Sequence, residues 1–288
     1  MKQSVISIQK AKEEKRRFTM ITAYDYSIAK LVDAAGIETI LVGDSLGNTM
    51  MGLGDTVSVT MEDMIHHTAC VTRGVKEAMV VADLPFMSYQ TGVRDALINA
   101  GRLMKEGRAD AVKLEGGEPM EETIRAIVTA GIPVCAHIGL TPQSFHTLGG
   151  YRVQGKDIAG GIQLVKDALA VERAGAFAVV LECVPAPLAA YITSLLHIPT
   201  IGIGAGVDCD AQVLVLQDML GLNTDFVPRF VKQFANLKET ITDAFSSYRE
   251  EVDAGSFPAA PHSFAMDAAV MEAIRLETEA NVQAAERD

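Results

Sequence analysis

The sequence predicts an α/β fold in which strand-helix units close into a (β/α)8 barrel of the TIM type. Three observations carry that prediction. Short apolar, β-branched runs alternate with segments of helical periodicity along the chain. The alternation counts to about eight units, the number that closes a parallel barrel. Five of the runs also carry a polar group at or near their end: Asp44, Asp83, Glu115, His137 and Glu182. The carboxyl ends of parallel barrel strands face one side, where active sites are built. An open doubly wound sheet is the alternative that alternation alone also permits.

The elements follow in order. Residues 1–16 form an amino-terminal extension, and SVISIQKAKEEKR within it reads as a short charged helix, either a cap over the barrel bottom or an arm on a neighbour. Arg17 to Asp25 is the first strand; Asp25 or Ser27 caps the helix that follows, and Gly36 ends it. Next comes the stretch Glu38 to Gly47, a buried strand delivering Asp44 and Ser45 to its tip. A glycine-rich connection, NTMMGLGDTVSVT, leads to the helix TMEDMIHHTACVTRG, which Thr60 and Asp63 start as a capping box. His66 and His67 point about 100° apart on that helix and cannot share a metal, so they read as structural. The Asp83 strand, the helix GVRDALINAGRLMKEG, the Glu115 strand and the helix MEETIRAIVTAG follow. After the His137 strand, residues 139–156 are too polar and glycine-rich for a helix and read as the largest active-face loop. Then come a helix over 156–176, the Glu182 strand, the helix APLAAYITSLLH, a strand from Pro199 into Gly202-Ile203-Gly204-Ala205-Gly206, and a last strand over 212–216. Those glycines either cradle a phosphate or pack a crowded turn. From about 238 to 288 the chain reads as extra carboxyl-terminal helices, broken at Pro258 and Pro261, and a frayed tail.

No linker or low-complexity segment appears, so residues 1–288 read as a single barrel domain. Hydrophobic residues make up 49% and aromatics only 6%, which suits aliphatic parallel strands covered by helices. A net charge of -12 argues against a nucleic-acid partner, whose phosphates need clustered Lys and Arg. The chain lacks the roughly 18-residue apolar run of a membrane span and the apolar core of a secretory signal. A cytoplasmic protein with no membrane partner is the expectation. The four cysteines form no C-x-x-C pair and read as buried, reduced thiols.

Asp44, Asp83 and Glu115 lie on three consecutive strands, so their carboxylates converge in one part of the barrel mouth. Gathered carboxylates repel and need a cation or a shared proton. Oxygen-only ligands point to Mg²⁺ or a similar hard divalent ion; taken singly, each acid reads first as a helix cap, and the three together read as a metal site. Lys113 alternates with Glu115 and shares its inward face, either to hold an anionic substrate group and steady a developing enolate or to form a structural ion pair. His137 holds the matching place on the next strand, as a hydrogen-bonder or as a catalyst. Glu182, hemmed by Val180, Val184 and Pro185, suits a general base, with capping or a salt bridge as the alternative.

Taken together, MITAYDYSIAKLVDAAGI, ILVGDSLGN, TMEDMIHHTACVTRG, DLPFMSYQ, AVKLEGG, AHIGLTPQS with LGGYRVQGK, AVVLECVP, IPTIGIGAG and DMLGL resemble the ketopantoate hydroxymethyltransferase family, in order over roughly residues 18 to 230. The resemblance implies a (β/α)8 barrel that binds Mg²⁺ and passes a one-carbon unit from 5,10-methylenetetrahydrofolate, as co-substrate, to a 2-oxo acid. It implies metal ligation by Asp44, Asp83 and Glu115. It places Asp44, Ser45, Asp83, Lys113 and His137 at the substrate, with Glu182 as proton acceptor. A homo-oligomer, a decamer in that family, is implied as well. Two loops depart from the family pattern, NTMMGLGDTVSVT and QSFHTLGG. A carbon-carbon lyase or mutase of the phosphoenolpyruvate mutase and isocitrate lyase type is the rival enzyme reading, although none of the four cysteines has the loop setting expected there. A non-catalytic barrel that binds an acidic metabolite is the third.

Overall fold

The computed structural model of the chain describes residues 2–150, 152–223 and 227–285. Tyr151 of the LGGYRVQGK segment and residues 286–288 of the expected tail lie outside them. The chain divides into two compact units, Met1–Ala235 and Asn236–Asp288.

The first unit is a closed barrel of eight parallel strands in sequence order: β1 (Phe18–Thr22), β2 (Thr39–Val42), β3 (Met79–Asp83), β4 (Ala111–Glu115), β5 (Val134–Gly139), β6 (Ala178–Glu182), β7 (Thr200–Ile203) and β8 (Ala211–Leu214). The helices between them are α2 (Tyr26–Ala34), α3 (Leu46–Thr49), α4 (Met61–Gly74), α5 (Val93–Lys105), α6 (Glu121–Thr129), α7 (Phe145–Leu148), α8 (Ile158–Arg173) and α9 (Ala186–Leu195). They are preceded by α1 (Val5–Glu13) and followed by α10 (Leu216–Met219).

Period-two alternation sorts the strand side chains into two cores. One fills the barrel, with Phe18, Met20, Leu41, Val81, Val180, Ile201 and Val213 among its members. The other, including Val42, Val80, Val112, Ala136 and Val179, lies between strands and helices and takes in Met64, Leu103, Ile124 and Ile192. Ile8 and Ala11 of α1 belong to the barrel-filling core, so the amino-terminal helix plugs the barrel bottom. Lys12 fixes it there, its Nζ lying 2.8 Å from Asp210 Oδ2.

Local signals act where the sequence places them. Asp25 caps α2 by accepting the Ile28 N–H, and the positive φ of Gly36 lets the chain turn after it. Thr60 and Asp63 form the reciprocal capping box of α4. Asp33 of α2 accepts the backbone N–H groups of Lys76, Glu77 and Ala78, clamping the turn that enters β3. His67 Nδ1 lies 2.7 Å from the Tyr24 carbonyl, in keeping with a structural role.

Two local expectations change. The 139–156 stretch is not helix-free: Pro142 opens a 3₁₀ turn over Pro142–Ser144 that runs into α7, and Gly149 ends that single turn in the left-handed region. The last strand lies one to two residues earlier than 212–216, because Leu216 already begins α10.

In the second unit, α11 (Leu237–Asp253) and α12 (Ala268–Ala285) flank a short 3₁₀ turn over Ala260–His262. Between them, the Phe257 ring lies 5.7 Å from that of Tyr248 on α11 and 5.3 Å from that of His262. No helix among the described residues is long and apolar enough to cross a membrane.

Candidate active site at the carboxyl ends of the strands

The strand register brings the polar strand ends together. Asp83 pairs with Lys113 across β3 and β4, Glu115 with His137 across β4 and β5, and Gly139 with Glu182 across β5 and β6. Alternation turns all of these side chains to one face, which in a closed barrel is the inside.

The result is a line of contacts. Lys113, 3% exposed, places Nζ 2.8 Å from Asp83 Oδ1 and 3.2 Å from His137 Nδ1. An ammonium only donates, so Nδ1 is the accepting nitrogen of His137, and Nε2 lies 3.3 Å from Glu182 Oε2 without a directed hydrogen bond. Glu115 Oε1 lies 3.7 Å from His137 Nδ1. Asp44 stands beside the line and donates its backbone N–H to Asp83 Oδ2 at 3.1 Å. Ser45 adds a hydroxyl, with Oγ 2.8 Å from Tyr24 Oη. Asp44, Asp83, Lys113, Glu115, His137 and Glu182 are thus joined in one network, and Ser45 follows Asp44 directly.

Burial sets the electrostatics. It pushes the Asp44 carboxyl up to about 7; the neighbouring Asp83 adds to the rise, and Lys113 and a Gln143 hydrogen bond oppose it. Glu115 is raised well above the ordinary carboxylate value by burial and then by Asp44. Burial works against the Lys113 ammonium, but Asp83, Glu115 and Asp44 outweigh it and hold its proton more tightly than in water. Three acids therefore crowd around a single lysine, and burial favours the protonated forms of Asp44 and Glu115 unless a cation offsets it.

Among the described residues no three His, Cys, Asp or Glu side chains gather closely enough to encage an ion unaided. Gln143 explains part of this, since its side chain occupies Asp44 Oδ2 at 2.8 Å and its backbone N–H occupies Glu115 Oε2 at 3.0 Å. Mg²⁺ does not need a cage: it keeps several waters and takes one or two carboxylates from a protein. Asp44 and Asp83 are adjacent, and Asp83 Oδ1 has no directed hydrogen bond despite its short contact with Lys113, which we read as an ionic contact. The donor set fits a hard divalent cation at Asp44 and Asp83.

Three participants escaped the sequence reading. Gln143, Tyr89 and Tyr24 are buried and hydrogen-bonded into this network. Pro142 opening a turn just past a strand end was the one signal pointing to Gln143; the two tyrosines look like ordinary core aromatics. The glycines at 202–206 serve packing, since a Cβ on Gly204 would meet the Phe230 ring at 2.8 Å and one on Gly206 would meet Ala186 Cβ at 2.5 Å. The two loops that depart from the family pattern meet each other, His146 Nε2 lying 3.7 Å from Asp55 Oδ2.

A family model described as ketopantoate hydroxymethyltransferase matches residues 2–260. The chain is 59% identical over 272 residues to a 3-methyl-2-oxobutanoate hydroxymethyltransferase of Clostridium novyi (strain NT), covering 94% of this chain and 99% of that one. Its counterpart of the same name from Moorella thermoacetica (strain ATCC 39073 / JCM 9320) is 60% identical over 257 residues, covering 89% and 96%. Among solved structures, a phosphonopyruvate hydrolase superposes with a TM-score of 0.61 at 14% identity, over 100% of this chain and 99% of that one. A 2,3-dimethylmalate lyase of the PEP mutase/isocitrate lyase superfamily gives 0.59 at 18%, over 99% of each chain. At those identities the likeness is one of fold.

Proposed function

The chain belongs to the ketopantoate hydroxymethyltransferase family, and on that premise we propose that it transfers a hydroxymethyl group from 5,10-methylenetetrahydrofolate to 3-methyl-2-oxobutanoate, giving 2-dehydropantoate for pantothenate biosynthesis. The observation that carries the reading is the line Asp83, Lys113, His137, Glu182, buried except at its half-buried Glu182 end, with Asp44 at its side. It sets a fixed positive charge and a carboxylate on the two sides of one imidazole, an arrangement suited to drawing a proton from carbon while stabilising the resulting negative oxygen.

In this reading Asp44 and Asp83 hold Mg²⁺ and Glu115 completes the site. When bound, the ion supplies Lewis-acid polarisation of the 2-oxo acid and lowers the free energy of enolate charge. Ser45, steadied by Tyr24, and Lys113 orient the acid's oxygens. Glu182 accepts the proton from C3; the C–H electron pair enters the enolate, C3 bonds to the methylene carbon as one of its two C–N bonds to folate breaks, and water replaces the other, which leaves the hydroxymethyl group and releases tetrahydrofolate. His137 keeps Nδ1 toward Lys113 and Nε2 toward Glu182, so base and cation hold their spacing as charge moves between them. Lys113 needs no rearrangement to meet developing negative charge, because Asp83 already fixes its ammonium.

Cysteine-based carbon-carbon cleavage finds no support in the thiols. Cys183 follows Glu182 directly, and burial together with that carboxylate pushes its thiol up to about 11, so it stays protonated at neutral pH. The test is incubation of the purified protein with the 2-oxo acid, methylenetetrahydrofolate and Mg²⁺, with a chelator control. Formation of 2-dehydropantoate that stops on chelation is expected. Absence of product under all conditions would refute the transferase reading.

A further inference from the structure

Gln143 sits where four strand-end segments meet, 4% exposed, with every polar atom of its side chain engaged. Its Nε2 donates to Asp44 Oδ2 at 2.8 Å and to the Leu84 carbonyl at 2.9 Å. Its Oε1 accepts from Tyr89 Oη at 2.7 Å and from Gln90 Nε2 at 3.3 Å. Its backbone N–H donates to Glu115 Oε2, and Tyr89 Oη in turn accepts the Glu115 backbone N–H at 3.1 Å.

This pattern admits one orientation of the amide. The Leu84 carbonyl can only accept, so a flipped Gln143 would set oxygen against oxygen there and again at Asp44. Nitrogen therefore always faces Asp44 Oδ2. A carboxylate with one oxygen pinned by a strong donor cannot rotate freely and presents its other oxygen in a fixed direction.

We propose that Gln143 is a positioning residue: by pinning Asp44 Oδ2 it reserves Asp44 Oδ1 for the divalent cation, and through its backbone N–H it holds Glu115 in register with the same site. This rests on the cation reading given above. The alternative is that Gln143 merely ties loops together, in which case its loss lowers stability and leaves cation affinity alone. Partners that orient metal-ligating side chains typically change metal affinity by about 10–100-fold when removed.

The experiment uses the full-length protein and Mn²⁺ as the probe, free ion being counted by electron paramagnetic resonance with no substrate or folate present. Gln143→Met keeps length and volume but loses both hydrogen-bonding ends. Tyr89→Phe removes only a hydroxyl, the one that steadies Gln143 Oε1 and accepts the Glu115 backbone N–H. Leu103→Ala, in the outer core on α5, serves as a control that lowers stability without touching the network. Expected are a roughly 10–100-fold weaker Mn²⁺ Kd for Gln143→Met, a smaller weakening for Tyr89→Phe, and no change for Leu103→Ala. Raising Mn²⁺ should restore most of the kcat of Gln143→Met. A folded Gln143→Met with the wild-type Kd overturns the proposal. If that variant does not fold, an unchanged Kd in Tyr89→Phe overturns it instead. Failure of the wild-type protein to bind Mn²⁺ removes the cation site itself, an outcome separate from the positioning role.

Discussion

Lys113→Met is the substitution whose consequence follows most directly from the charge arrangement. It removes the ammonium that lies 2.8 Å from Asp83 Oδ1 and leaves Asp83, Asp44 and Glu115 facing one another in a buried pocket. Breaking a buried ion pair by removing one partner costs about 3–5 kcal/mol, most of it the penalty of the charge left behind. For a unit this large, each kcal/mol moves the melting temperature by roughly 2–4 °C. A fall of roughly 6–20 °C is therefore expected in chelator, read by circular dichroism or calorimetry. The origin of the loss can be checked by a second change. Adding Asp83→Asn removes one of the stranded charges, so the double variant should melt above Lys113→Met alone although it carries more substitutions. A Lys113→Met protein that melts within a degree or two of wild type, or a double variant that melts lower still, would refute the reasoning.

Tyr24→Phe takes the partner from Ser45 Oγ; with a typical hydrogen bond worth about 1 kcal/mol, KM for the 2-oxo acid should rise several-fold with kcat little changed, as steady-state kinetics will show. Gly139 has a φ of +92°, and a Cβ there would collide with the Glu182 carbonyl oxygen, so Gly139→Ala should displace the proposed base and lower kcat steeply; wild-type kcat would show that the strand end can yield. Burial raises the Asp33 carboxyl, but the three backbone N–H donors prevail and hold it below the ordinary aspartate value. A depressed folded-state value gives stability that is present above the unfolded value and is lost as pH falls through the folded one. Asp33→Asn should therefore cost stability at pH 7 and progressively less in acid, measured by urea titration across pH 2–7; an equal cost at every pH would contradict this.

Much of this arrangement is legible in the sequence because it follows from periodicity. Val80 to Asp83 and Val112 to Glu115 read as buried strands, and once eight such strands close in order, the placing of Lys113 between Asp83 and His137 is a matter of register. The capping residues Asp25 and Thr60 are legible for the same reason, since their interactions span only three residues. What stays hidden depends on folding distant loops together. Gln143 reaches Asp44 across 99 positions, and nothing in Thr141-Pro142-Gln143 marks its amide as the donor to a carboxylate. Tyr24 and Tyr89 carry hydroxyls whose partners exist only once the mouth is assembled. The one-turn helix α7 is hidden for a different reason: four residues are too few to set up a periodicity.

The most direct test of the account is exchange of the C3 proton of 3-methyl-2-oxobutanoate in deuterated water with Mg²⁺ and no folate, followed by proton NMR for wild type and Glu182→Gln. Wild type should exchange the proton, and Glu182→Gln should bind the acid and the ion yet leave C3 unexchanged. Exchange at the wild-type rate in Glu182→Gln would take the base away from Glu182 and contradict the account.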